Sequence, residues 1–404
     1  MDVFNFCGKL SLPKESEKFH PIEHREFASS WENMTVKFNC ISGTNRVLCM
    51  AQGGKWQSDS KNVIKTFSKS TTDENGKTIK GEMIEIPWNK RFDADQIDKV
   101  AGFRKFTCDT GDSKMRYGLQ GLVAAFENGS VTDGMKTQFG IDNLEDAKAA
   151  LEKSNAKKKV FLSEWDFAQH LAKVLQSGKY KDKLFYVSGT YDVQYNADKQ
   201  QFYTNYHVNR VVLAPDDAEQ KTELKVDFYF GEDAFDDSNY EENGKATING
   251  WVSYYDNMVK SNGFRPMVVT VKESEKKTAA LKRKFSVEEG IKQIGLTLNV
   301  VEGAETVELT MDMLDEETRE DIECGLLDWE TVKRELGGRA IGDRVSELRF
   351  AELTPRKNAA QDTVYTADDM RPAVTEQKDK DVVEQKDEDE DFDLFSDSDL
   401  DDDL

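Results

Sequence analysis

Short runs rich in Val, Ile, Phe and Thr recur between turn signals from the start of the chain to about residue 125: VFNFCGKLSL, NMTVKFNCIS, RVLCMAQG, NVIKTFS, TIKGEMIEIP and RKFTCD. This spacing predicts a twisted antiparallel sheet or a small barrel. Between 140 and 180 the apolar period becomes helical, in NLEDAKAALEKS and then SEWDFAQHLAKVLQS. Ser163 is placed to cap the second helix, and Trp165, Phe167, Leu171, Val174 and Leu175 share one of its faces.

A second β unit is expected from about 183 to 275, where LFYVSGTYDVQYN and QQFYTNYHVNRVVLAP read as strands paired around a turn at Asn196 to Lys199. TELKVDFYF, ATINGWVSYY and PMVVTVKE follow as strands. Beyond 285, IGLTLNVVEG and VELTMDM resemble strands, MLDEETREDIECGLLDWETVKREL is helical with Gly325 near its middle, and VSELRFAELTP returns as a strand. The expected fold is mainly β with α insertions, of the α+β class. Its expected units are 1–180 with the helical connector, a second β unit at 181–284, an acidic α/β subdomain at 285–375 and a disordered acidic tail at 376–404.

The net charge of -22 is unevenly placed. Residues 1–120 carry +3 and 121–300 carry -3, so the first 300 are neutral. Residues 301–375 carry -10 and 376–404 carry -12. A balanced body with an acidic end leaves polyanion binding to the local charge of the body. No run reaches the eighteen or so apolar residues that a bilayer span needs. MDVFNFCGKL has neither a basic n-region nor an apolar h-region, so a cytoplasmic location is expected, without membrane association. The five cysteines, Cys7, Cys40, Cys49, Cys108 and Cys324, are scattered without a CxxC pair and read as reduced thiols.

Two catalytic patterns fail on inspection. HPIEH, His20 to His24, fits H-x-x-E-H, but Pro21 drives His20 out of helical geometry, leaving a plain helix start. ENGKT, Glu74 to Thr78, echoes a phosphate loop, yet Thr71 stands where the first glycine belongs. With no G-x-S-x-G or G-x-G-x-x-G either, the chain reads as a non-enzyme that needs no cofactor and no metal.

What remains is four clusters that interleave rings with bases: Lys55 and Trp56; Trp88, Lys90, Arg91 and Phe92; Phe103, Arg104, Lys105 and Phe106; Lys114, Arg116 and Tyr117. Unpaired bases offer π-faces and a phosphate chain, so a single-strand groove sets flat rings beside cations. In the second β unit Tyr195, Tyr203 and Arg210 are secondary candidates, although cross-strand aromatic pairing explains most of its rings.

The last eighteen residues, DEDEDFDLFSDSDLDDDL, hold eleven acids and no base yet keep Phe392, Phe395 and Leu404. Such a segment cannot form a core. Acidic-hydrophobic alternation suits docking, with Asp401, Asp402 and Asp403 beside the terminal Leu404. A tethered polyanion also competes for the protein's own cationic groove.

With these rings, bases and tail, the chain resembles the single-stranded-DNA-binding proteins of bacteria and tailed phages. The likeness rests on DFDLF, Asp391 to Phe395, and SDSDLDDDL, Ser396 to Leu404, together with β units that look like oligonucleotide-binding (OB) barrels joined by helices. The resemblance implies a non-catalytic protein that coats single strands during DNA replication, recombination and repair, with a tail that recruits partner proteins. The bacterial tip ends on proline and phenylalanine, whereas this chain ends on Leu404. The alternative is an acidic protein-binding factor, a chaperone or a mimic of nucleic-acid charge that engages a basic partner.

Overall fold

The computed structural model describes residues 3–74, 76–196, 201–256, 260–308, 310–335, 339–354 and 365–373. The tail residues Phe392, Phe395, Asp401, Asp402, Asp403 and Leu404 lie outside the described residues. The fold is mainly β with several helices, in the α+β class.

Strands β1 (Val3–Ser11), β2 (Ile22–Glu26), β3 (Trp31–Ser42) and β4 (Asn45–Trp56) open the chain. An excursion then carries the hairpin β5 (Val63–Phe67) and β6 (Met83–Pro87), strand β7 (Phe106–Asp109), helices α1 (Ser113–Glu127) and α2 (Leu144–Asn155), and β8 (Lys158–Phe161). Helix α3 (Glu164–Gln176) leads into the long hairpin β9 (Leu184–Asn196) and β10 (Gln201–Leu213). The rest comprises β11 (Lys221–Phe230), β12 (Ala246–Asp256), β13 (Ser261–Val271), α4 (Glu275–Lys284), β14 (Lys292–Glu308), α5 (Glu316–Glu323), α6 (Trp329–Glu335) and β15 (Arg339–Thr354).

The pairings close on themselves twice. β1 pairs antiparallel with β3, β3 with β4, β4 runs parallel to β10 at Met50 and His207, β10 pairs with β9, and β9 returns to β1. Five strands thus make ring one. Ring two repeats the scheme: β11 with β12, β12 with β13, β13 parallel to β15 at Val269/Leu348 and Thr270/Arg349, β15 with β14, and β14 back to β11. In both, a helix stands between the third and fourth strands, α3 in ring one and α4 in ring two. β1 joins the rings, because residues 3–7 of its second edge pair with β11 while residues 9–11 pair with β3.

Alternation builds the interior, since successive side chains on a strand point to opposite faces. Met34, Val36, Phe38 and Cys40 of β3 point inward, as do Thr222, Leu224, Val226 and Phe228 of β11. Full burial of each apolar side chain is worth about 1.5–3 kcal/mol. α3 is capped by Ser163 Oγ, which accepts from the Asp166 amide at 3.4 Å, and it buries Trp165, Phe167 and Leu171 into the same core.

β9 and β10, beyond residue 180, pair with β1 and β4, and β14 and β15, beyond residue 284, pair with β11 and β13. Two expectations change. The stretch after HPIEH is the strand β2, not a helix start; Ile22 to Glu26 pair with Val36 to Glu32 of β3. The expected long acidic helix is two, α5 and α6, because Asp328 caps a fresh start by accepting from the Thr331 amide at 2.9 Å. Among the described residues no helix is long and apolar enough to cross a membrane.

Candidate nucleic-acid interface

Opposite residues of β3 and β4 share a face, so the register sets Trp31, Thr35 and Lys37 on the outward face with Trp56, Gly54 and Gln52, while Asn33 and Met50, of the same parity, are buried. Leu48 and Arg46 extend it toward the turn. The Trp31 and Trp56 rings meet edge to face, 5.1 Å apart at 74°. Trp31 lies over Gly54, where any Cβ would collide with the indole. The Lys61 ammonium stands 5.4 Å from the Trp56 ring, held near by Asn62, which brackets Trp56 through its amide and carbonyl at 2.8 Å each.

From Asn62 the chain runs directly into β5. Val63 and Lys65 are exposed and the half-buried Phe67 shares their side of this hairpin, and Ile64 and Ile86 form the side packed on Val100 and Leu162. At about 3.3 Å per residue the strand reaches roughly 16 Å. Arg104 waits at its far end, 5.2 Å from the Phe67 ring and 5.4 Å from Phe103, which is 70% exposed. Lys105 follows, its ammonium held below the usual lysine range by burial first and then by the nearby charge of Lys69. A bound phosphate would relieve that repulsion. The result is two ring-and-cation stations, Trp31/Trp56/Lys61 and Phe67/Phe103/Arg104, linked by the outer side of β5.

The other expected residues are placed differently. Lys55 lies on the inward parity of β4, 3.6 Å from the Glu32 carboxylate and 5.3 Å from the Trp165 ring. Trp88 is only 7% exposed, and its ring carries the Arg91 guanidinium at 4.0 Å. Arg91 is held by Asp166 at 2.7 Å and also flanks the exposed Phe92 at 4.3 Å, while Lys90 is exposed beside them. Phe106 is half-buried, 5.7 Å from Phe167.

Lys114, Arg116 and Tyr117 belong to α1 rather than to a β unit, and they part ways there. Lys114 and Tyr117 are exposed. Arg116 is 8% exposed and grips Asp109 with two bonds, of 2.6 and 2.7 Å, and also donates to the Ser154 carbonyl at 3.2 Å. A guanidinium so enclosed is a structural clamp between β7, α1 and α2. Arg210 is exposed on β10 next to Thr107 of β7. The side chains of Tyr195 and Tyr203 lie outside the described set; their backbones pair with Phe202 and Gln194. Trp31, Lys37, Arg46 and Leu48 escaped the sequence reading, because their partners in the patch come from a neighbouring strand.

No protein-family model matches this chain, and no curated protein matches it. Among solved structures, it is similar to the wild-type single-stranded DNA binding protein from Thermus aquaticus at 7% identity and a TM-score of 0.26, covering 77% of this chain and 93% of that one. A deletion mutant of that Thermus aquaticus protein gives 8% identity, a TM-score of 0.26, and coverage of 78% and 98%. A likeness of this size carries no argument about family or activity.

Proposed function

We propose that both rings are OB-type barrels and that the chain is a non-catalytic single-stranded DNA-binding protein. The observation that carries this reading is the pair of ring-and-cation stations on the outer side of β3, β4 and β5. The pairing order supports it: a five-stranded Greek-key barrel, here closed by its third and fifth strands running parallel, is the OB scheme, and its second and third strands form the binding face. In ring one those strands are β3 and β4, which carry Trp31 and Trp56.

Flat rings stack on bases of any sequence, worth about 1–3 kcal/mol per base, and Lys61 and Arg104 neutralise the passing phosphates. The strand pairings favour two compact units, 3–213 and 221–354, joined through β1, in place of units divided at 180 and 284. In this reading the protein coats single strands in replication, recombination and repair. The acidic tail then recruits partner proteins through Phe392, Phe395 and Leu404 and competes for the cationic stations.

Fluorescence anisotropy of labelled oligo-dT tests the reading. The full chain should bind at low salt, and Trp31→Ala with Trp56→Ala should weaken binding at least ten-fold without unfolding the protein. Flat anisotropy at low salt sinks the proposal.

A further inference from the structure

The outer surface of β12 and β13 is ring two's counterpart of the Trp31–Trp56 face. Counted from the hairpin turns, Phe264 takes the place of Leu48, since Ser253/Phe264 and Asn39/Leu48 are each the fourth pair. Leu48 is 40% exposed, but Phe264 is 7% exposed. What covers it is a piece of the same chain. The Tyr365 ring stands 5.3 Å from Phe264 at 74° and 5.4 Å from Tyr229 at 87°.

The cover is built in three further ways. The Phe264 amide donates to the Arg371 carbonyl at 2.8 Å, along the edge of β13 that β15 leaves free until Val269. The Ala373 amide donates to the Tyr254 hydroxyl at 3.1 Å, and any side chain at Gly263 would collide with the Ala373 backbone. Thr366 and Asp369 cap each other, the Thr366 amide and hydroxyl both donating to Asp369 Oδ2 at 2.7 and 2.9 Å, so the segment holds its own turn. Tyr255 and Val268 share the Phe264 face and remain exposed on either side of it.

We propose that Phe264 and Tyr229 form a second base-stacking site, closed in the free protein by Tyr365–Ala373 and opened when a single strand long enough to leave ring one displaces that strap. The proposal rests on the reading of ring one as a nucleic-acid face. Edge-to-face contact with Tyr365 occupies the space in which a base would lie, so strap and base exclude one another. Because the rings rather than cations define this site, opening it changes affinity while leaving the salt dependence nearly unchanged.

The test uses the full chain with Tyr365→Ala, and the same variant combined with Phe264→Ala. Amide exchange at Phe264 reports the strap, and oligo-dT of about 10 and about 30 nucleotides reports the site, on the scale of one and two barrels. Tyr365→Ala should speed Phe264 exchange at least ten-fold, leave the short oligonucleotide unaffected and tighten the long one about ten-fold. Phe264→Ala in that background should cancel the gain. Faster exchange with no gain for the long oligonucleotide, or no change in either readout, overturns the second site while wild-type binding stands. A wild-type chain that binds neither oligonucleotide sinks the reading of ring one, and this proposal with it.

Discussion

Arg265 Nη1 of β13 donates to Thr204 Oγ1 of β10 at 2.7 Å, a bond that ties ring two to the long hairpin of ring one. Its second nitrogen reaches the Tyr191 hydroxyl at 3.3 Å, and beside it the Phe202 and Tyr254 rings meet edge to face at 5.9 Å. The guanidinium Nε is buried with no hydrogen-bond partner among the described residues. Hydrogen bonds to a charged group are worth about 1.5–3 kcal/mol, more than a neutral pair. Arg265→Ala should therefore loosen the seam between the rings. Calorimetry should show the unfolding peak broaden or split toward two transitions, and one sharp peak at an unchanged midpoint would refute the coupling.

A second prediction separates structure from binding at Arg116. Removing one partner of a buried pair leaves a charge with no compensation, typically at a cost of about 3–5 kcal/mol. Arg116→Met should lower the melting temperature by several degrees, because Asp109 stays buried, and Asp109→Leu in the same chain should restore much of the loss. Binding of oligo-dT by the folded fraction should keep its salt slope. A reduced slope would mean that Arg116 meets phosphate after all.

The strands were legible because alternation is local: the inward set of β3 and the hairpin of β9 with β10 can be read directly from residue order. Ring closure was not. It depends on parallel contacts such as Met50 with His207, far apart in sequence, for which no local signal exists. The same limit governs the site. Trp56 and Trp88 both lie within two residues of a base in the sequence, yet β4 turns one outward and the packing around Asp166 sinks the other. Arg116 looks like any helical cation until Asp109, on a different element, is seen to claim it.

His170 gives a pH prediction. Its ring lies 5.3 Å from Phe161, and burial, then Lys159 and Lys173, hold it below the ordinary histidine value of 6.5. The unfolded chain therefore takes up a proton that the folded chain refuses, so stability rises with pH through this window and is lost as pH falls below about 6.5. Melting temperature measured from pH 7.5 to 5.5 should fall, and His170→Gln should flatten the trend. An equal trend in both proteins would assign it to other groups.

Thiol reactivity checks the core. Cys40 and Cys108 are buried and pushed up to about 12, and burial raises Cys49 and Cys7 as well. Only Cys324 is exposed among the five. Since the thiolate is the reactive form, a colorimetric thiol reagent at pH 8 should titrate one cysteine quickly in the folded protein and all five in denaturant. Fast reaction of two or more would show that the ring interiors open to solvent.

The two stations differ from the buried pair in how they should answer salt. Each phosphate neutralised on a single strand contributes about 0.7 to the slope of log affinity against log salt. Lys61 lies against Trp56, and Arg104 lies between Phe67 and Phe103, so each meets phosphate only if the strand follows the outer side of β5. Lys61→Ala and Arg104→Ala should each flatten the slope by about 0.7, and the double variant by about 1.4. Phe103→Ala should weaken binding while leaving the slope alone, because it removes a stacking surface and no charge. If only Lys61 changes the slope, the strand leaves the protein before the hairpin, and the interface is confined to β3 and β4.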